Sequence, residues 1–88
     1  METGDIVYSK SGRDRGRYYA VVAVEENGYV RIADGDLRRI RNAKLKNVRH
    51  LRETGDSLPR IAEKLQSGAQ VFDTELYSAL RLYDKNKI

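Results

Sequence analysis

Lys10-Ser11-Gly12-Arg13-Asp14-Arg15-Gly16-Arg17 runs directly into Tyr18-Tyr19-Ala20-Val21-Val22-Ala23-Val24, and the reading of that junction decides the fold. The first half places four basic residues and two glycines in eight positions. The second half is aromatic and β-branched, with no polar residue at helical spacing, and reads as a strand. Upstream, Ile6-Val7-Tyr8 is a short apolar run opening after Gly4-Asp5. The basic stretch is therefore expected to be the loop joining two strands.

Working downstream, Glu26-Asn27-Gly28 carries a strong short hairpin signal, because Asn and Gly both tolerate positive φ. Tyr29–Ala33 is the return strand, with Val30 and Ile32 facing inward and Tyr29 and Arg31 outward. Asp34-Gly35-Asp36 is a second tight turn. Leu37–Arg41 is expected as a fourth strand anchored by Leu37 and Ile40, and a short fifth around His50–Arg52 closes the sheet. Short strands at this spacing suggest a small barrel.

The last third changes period. Ser57 or Asp56 is expected as an N-cap, with Pro59 tolerated in the first turn. Leu58, Ile61, Ala62 and Leu65 form an apolar stripe, and Ser67-Gly68 supplies a stop. A second helix is expected from Asp73 or Thr74, with Leu76, Ala79, Leu80 and Tyr83 on one face. Neither helix is long enough to stand alone in water, so both are expected to dock, the stripe more naturally on its own core than on a partner. The polar Asp84–Lys87 end is expected to fray. The expected class is mostly β, a small barrel over residues 1–53 with a two-helix C-terminal extension over 54–88.

At 88 residues, 40 % hydrophobic and 34 % charged, the chain supports one thin core. Domains of this size bury only about 60 % of their unfolded surface, which counts against a deep substrate pocket. There is no cysteine, so disulfides and thiolate chemistry are excluded. His50 is the single histidine and has no clustered ligands or nucleophile in the sequence, so neither a metal site nor a general base is expected. The glycines fit neither phosphate-cradling motif, so no nucleotide cofactor is expected. With no signal-like start and no apolar run approaching ~20 residues, a soluble, cytoplasmic protein is expected.

The net charge of +4 is unevenly spread. Residues 1–53 hold 12 Lys/Arg against 8 Asp/Glu, whereas residues 54–88 hold 5 of each. Leu37–Arg52 carries seven basic residues and no acid. Such a patch suits a polyanion, though a solvated basic face has the same composition. In the loop, glycine permits tight turns and close approach, and arginine binds phosphate bidentately and stacks on bases. Asp14, between Arg13 and Arg15, is expected to hold one guanidinium in place. Among the tyrosines, Tyr19 or Tyr29, whichever faces out, is the candidate base-stacking platform, the rest being core.

Gly4-Asp5-Ile6-Val7, the Gly12-Arg13-Asp14-Arg15-Gly16-Arg17 loop and the strand through Val22 and Val24 together resemble the KOW motif of ribosomal proteins and transcription elongation factors. Further elements follow in order: Gly16-Arg17-Tyr18, Ala33-Asp34-Gly35, Arg38-Arg39-Ile40-Arg41 and Asn47-Val48-Arg49-His50-Leu51. They resemble the large-subunit ribosomal KOW proteins of the archaeal and eukaryotic "fourteen-e" type, over about residues 3–53. The charge-balanced tail from Thr54 is more similar to short stand-alone KOW proteins of some bacteria. The resemblance implies an SH3-like barrel that binds ribosomal RNA through Lys10, Arg13, Arg15 and Arg17, and then Arg38, Arg39 and Arg41. Ser11, Gly12 and Gly16 of the loop and Lys44 and Lys46 of the acid-free segment complete the expected surface. Expected partners are RNA and ribosomal proteins, with no cofactor, membrane or small-molecule substrate. The competing expectation is a protein-interaction module or elongation-type KOW factor contacting polymerase or ribosome. An enzyme lacks every required constellation.

Overall fold

The apolar run Tyr18–Val24 forms the central strand of a five-stranded antiparallel sheet, and it is apolar throughout because it is covered on both faces. In the computed structural model, which describes residues 1–86, the strands are β1 (Asp5–Ser9), β2 (Tyr18–Val24), β3 (Tyr29–Ala33), β4 (Lys44–Asn47) and β5 (Leu51–Ser57). Two helices follow, α1 (Pro59–Ser67) and α2 (Asp73–Asn86). The strand order is β4-β3-β2-β1-β5, and the sheet is not closed by pairing between its end strands.

Alternation along each strand divides the core in two. Ile6, Ala20 and Ala33 face the helices and pack with Ile61 of α1 and Leu76 and Leu80 of α2. Val7, Tyr19, Val21, Val30, Ile32 and Leu51 point the other way and form a second cluster capped by Met1 and Val48. The helices therefore pack on one face of the sheet and belong to the core, as their stripes indicated. Residue 53 lies within β5, which continues to Ser57 and joins the helical segment to the sheet without a break.

Two close approaches lock the helices down. A Cβ on Gly35 would run into the backbone of Asp73 and Tyr77, and one on Gly4 would run into Ala62. Where α2 meets the Gly35 turn, the Asp73 carboxylate accepts the Ile40 N–H at 2.8 Å. Glu75 accepts the Phe72 N–H at 3.0 Å, capping α2, and takes Lys64 Nζ of α1 at 2.9 Å. Lys64, first by its hydrogen bond, and the Phe72 N–H hold the Glu75 carboxyl below its ordinary pKa.

Several expectations are met. Asn27 and Gly28 both have positive φ, and Tyr29 N–H returns to Glu26 O at 3.3 Å, closing the hairpin. Val30 and Ile32 are buried while Tyr29 and Arg31 are exposed. Gly68 ends α1 in the left-handed region, with its N–H on Lys64 O. Helix α2 starts at Asp73, as expected, but Asp84–Asn86 are helical where fraying was expected, and Lys87 lies outside the described residues.

Other expectations need correction. No strand runs over Leu37–Arg41. Leu37 is 62 % exposed, and residues Ile40–Asn42 form a 3-10 turn. The cause is Asp34, whose Oδ1 accepts the N–H groups of Asp36 and Arg38 at 2.9 Å and coils the segment too tightly to extend. The fourth strand begins seven residues later than expected, at Lys44, and runs to Asn47. His50 lies in a second 3-10 turn, so the fifth strand begins at Leu51. Neither Asp56 nor Ser57 caps α1, because β5 continues through both and the N-cap position falls to Leu58, which makes no side-chain cap. Among the described residues no helix is long and apolar enough to cross a membrane.

Candidate nucleic-acid interface

The Lys10–Arg17 loop leaves β1 and re-enters β2 through a hydrogen-bonded neck. Ser9 N–H reaches Arg17 O and Gly16 N–H reaches Ser9 O, each at 3.0 Å. Lys10 N–H reaches His50 O at 2.9 Å, which ties the neck to the start of β5. Gly12 and Gly16 take φ of +79 and +87, so the loop needs glycine for its path.

Asp14, at the loop's centre, is 3 % exposed and turns beneath the loop. Its Oδ1 lies 2.9 Å from both Nε and Nη2 of Arg38. Its Oδ2 lies 3.4 Å from Lys46 Nζ and 3.6 Å from Lys44 Nζ. Lys46 is 8 % exposed and donates a further bond to Ser11 O at 2.9 Å. Burial pushes the Asp14 pKa up, but the Arg38 hydrogen bond and charge, with Lys44 and Lys46, outweigh it and leave the carboxyl below its ordinary value. The guanidinium that Asp14 holds is thus Arg38's, not that of either sequence neighbour.

This hub sorts the twelve expected residues. With Asp14 turned inward, Arg13 and Arg15 on either side are exposed, as is Lys10, and none of the three has an acidic partner among the described residues. Arg38 and Lys44 lie half-buried at the hub, so the loop and the segment after the second turn form one surface. Ser11 supplies its carbonyl, and Gly12 sits so close that an added Cβ would lie 3.2 Å from Lys46 Nζ. One carboxylate against three cations leaves the hub itself positive. Lys46, by contrast, is sealed in as a structural cation.

Arg17 turns elsewhere. Its Nη2 lies 3.3 Å from Asp34 and 3.9 Å from Asp36, beside Tyr77 and Arg81 of α2. Arg41 lines a depression with Val22, Arg31 and Leu65, away from the loop. Arg39 is exposed. Of the two candidate stacking tyrosines, Tyr19 is fully buried in the core, and the one that faces out is Tyr29, 38 % exposed. Sequence reasoning passed over Arg49 and Arg52, both exposed and flanking the His50 carbonyl that ties down the loop. The signal for them was present in the acid-free stretch that ends at Arg52. No protein-family model matches the chain, and no curated protein matches it in sequence.

Proposed function

We propose that this chain is a non-catalytic, cytoplasmic RNA-binding module, an SH3-like barrel of KOW type with helices packed on one face. It grips structured RNA, ribosomal RNA of the large subunit being the leading candidate, through the Lys10–Arg17 loop and the adjoining Arg38–Lys44 surface. One observation carries the reading. A buried carboxylate gathers Arg38, Lys44 and Lys46 under the loop, while Lys10, Arg13 and Arg15 remain exposed with no acidic partner among the described residues. A purely solvated loop has no need of such an anchor, since water alone satisfies its cations. Phosphate contacts of this kind bring affinity and register, with shape rather than base sequence recognised.

The test is binding of a fluorescent structured RNA hairpin across a salt series, with a DNA duplex of equal length as competitor. With about four to six phosphate contacts, log K falls against log salt with a slope of about −3 to −4 for single strands, steeper for duplex. Flat salt dependence overturns the reading, and preference for the DNA moves it from RNA to DNA. The triple variant K10A/R13A/R15A is expected to lose on the order of 100-fold in affinity. Its thermal midpoint should be unchanged.

A second reading is favoured by a separate observation. Leu58 and Ala79 line two adjoining depressions, one between α1 and α2 beside Pro59 and one between the end of β5 and α2 beside Leu82, which is 60 % exposed. A protein partner seated there would form complexes that resist high salt, which the same salt series separates from RNA binding.

A further inference from the structure

Beside the loop lies a feature that phosphate binding does not use. Tyr8 of β1 stands opposite Arg52 of β5 in register, and the Arg52 guanidinium sits over the Tyr8 ring, 4.7 Å from its centroid. That distance is within the range of a cation–π contact. Arg52 is exposed and has no acidic partner among the described residues, so no ion pair draws its guanidinium away from the ring and the side chain stays open to a ligand.

The ring beneath is braced. Tyr8 meets Tyr18 edge-on at 5.1 Å, and Tyr18 meets Tyr83 of α2 edge-on at 5.4 Å. Tyr83 in turn donates its hydroxyl to Asp56 of β5 at 2.7 Å. The shelf is therefore fixed by the sheet and the last helix together.

Its position relative to the loop is also fixed. The Tyr8 hydroxyl lies 3.9 Å from where a Cβ on Gly16 would be, so the ring abuts the loop's exit. Arg52 is the second residue of β5, two positions after His50, whose carbonyl ties down Lys10. A planar cation on an aromatic ring, next to a phosphate-binding loop, matches what an unpaired nucleobase stacks on.

We propose that Arg52 on Tyr8 is a stacking site for a single unpaired nucleobase, adjoining the phosphate-binding loop. This rests on the RNA-binding reading and narrows its ligand. The preferred RNA carries a bulged or unpaired nucleotide beside a helix, and a fully paired helix fills the loop but leaves the shelf empty.

The experiment compares two RNA hairpins of equal stem length at one salt concentration, one fully paired and one carrying a single bulged 2-aminopurine. Fluorescence anisotropy of an end label gives affinity, and 2-aminopurine emission reports stacking. The wild-type protein is expected to bind the bulged hairpin about tenfold more tightly and to quench its emission. Arg52→Lys keeps the charge and removes the plane. It should abolish both the preference and the quenching while leaving affinity for the fully paired hairpin unchanged, and Arg52→Gln, which keeps a planar end without charge, should retain part of the quenching. K10A/R13A/R15A should weaken both hairpins and preserve their ratio. Equal binding of the two hairpins by the wild type, or a preference and quench that survive Arg52→Lys, overturns the stacking site and leaves RNA binding standing. Failure to bind either hairpin overturns both.

Discussion

Two loops of this protein are built from the same parts and end in opposite states. Lys10–Arg17 and Asp34–Arg38 each contain positive-φ glycine, a buried aspartate and arginine. They are also cross-linked: Asp14 of the first holds Arg38 of the second, and Asp34 of the second holds Arg17 of the first. Asp34 uses one oxygen on its own turn, capping the N–H groups of Asp36 and Arg38. Asp14 makes no such local bond and uses both oxygens on side chains from distant parts of the chain. The glycines differ accordingly. Gly35 is pressed against the backbone of α2, whereas Gly12 and Gly16 have only the ends of long side chains nearby. What packs on the glycine, rather than the composition of the loop, separates a structural turn from a surface that presents charge.

The largest effect should come from Gly35→Ala. The added methyl meets the Asp73 carbonyl and the Tyr77 amide, backbone groups that can move only with the whole helix, at a φ of +81 that already disfavours alanine. A loss of about 3 kcal/mol or more is expected, lowering the thermal midpoint by more than about 10 °C. Gly16→Ala carries the φ penalty alone and should cost about 1 kcal/mol. Equal losses would erase the distinction between the loops.

Next is the hub. Asp14→Ala leaves the sealed Lys46 and its neighbours without a counter-charge and is expected to cost about 3 kcal/mol by denaturant unfolding at neutral pH. Lys46→Met leaves Asp14 with Arg38 and Lys44 and should cost about 1 kcal/mol. Because the folded Asp14 pKa is depressed, its stabilisation is present at neutral pH and lost as pH falls through that folded value, below the ordinary carboxylate range. Asp14→Ala should therefore flatten the acid limb of the stability curve. A Lys46→Met variant less stable than Asp14→Ala would mean that the lysine, not the carboxylate, organises the loop.

The smallest effect concerns the ground between the two loops. Tyr19 is buried near both aspartates. Burial first, and then the charges of Asp14 and Asp34, push its phenol up to about 12 from 10.0. An unfolded tyrosine ionises near 10 and the folded one does not, so stability should decline between pH 10 and about 12, by at most ~1.4 kcal/mol per unit. Its hydroxyl has no hydrogen-bond partner among the described residues, so Tyr19→Phe should cost little at neutral pH and remove that component of the slope. Denaturation midpoints of both proteins at pH 9, 10 and 11 check this, and parallel curves would mean that Tyr19 carries no such shift.

The parts that were legible in the sequence are those whose cause is local. Apolar, β-branched runs placed β1 and β2, alternation placed β3, Asn27-Gly28 placed the hairpin, and the spacing of Leu76, Leu80 and Tyr83 placed α2. The fourth strand was misplaced because its cause is remote. Leu37 and Ile40 offered apolar anchors, yet the strand that forms turns a lysine inward and exposes its leucine. Lys46 is tolerated inside because Asp14 waits there, 32 positions earlier in the chain. Nothing local announces that pairing. The same blindness hid the roles of the arginines. Sequence spacing put Asp14 with Arg13 or Arg15 and gave no reason to assign Arg17 to Asp34. The contact of Arg52 was likewise invisible, since it is made with the Tyr8 ring across the strand pair.

The anchors of the basic loop have one more consequence. Arg38 and Lys46 reach residues of the loop from 24, 32 and 35 positions away along the chain. Closing contacts of such length costs entropy before it returns any energy, so they form with the sheet rather than ahead of it. A fragment ending before Lys46 would carry every charge of the loop with none of its shape, and would meet a polyanion as a flexible basic peptide. The shape on which the proposed recognition depends thus arrives only with the completed fold.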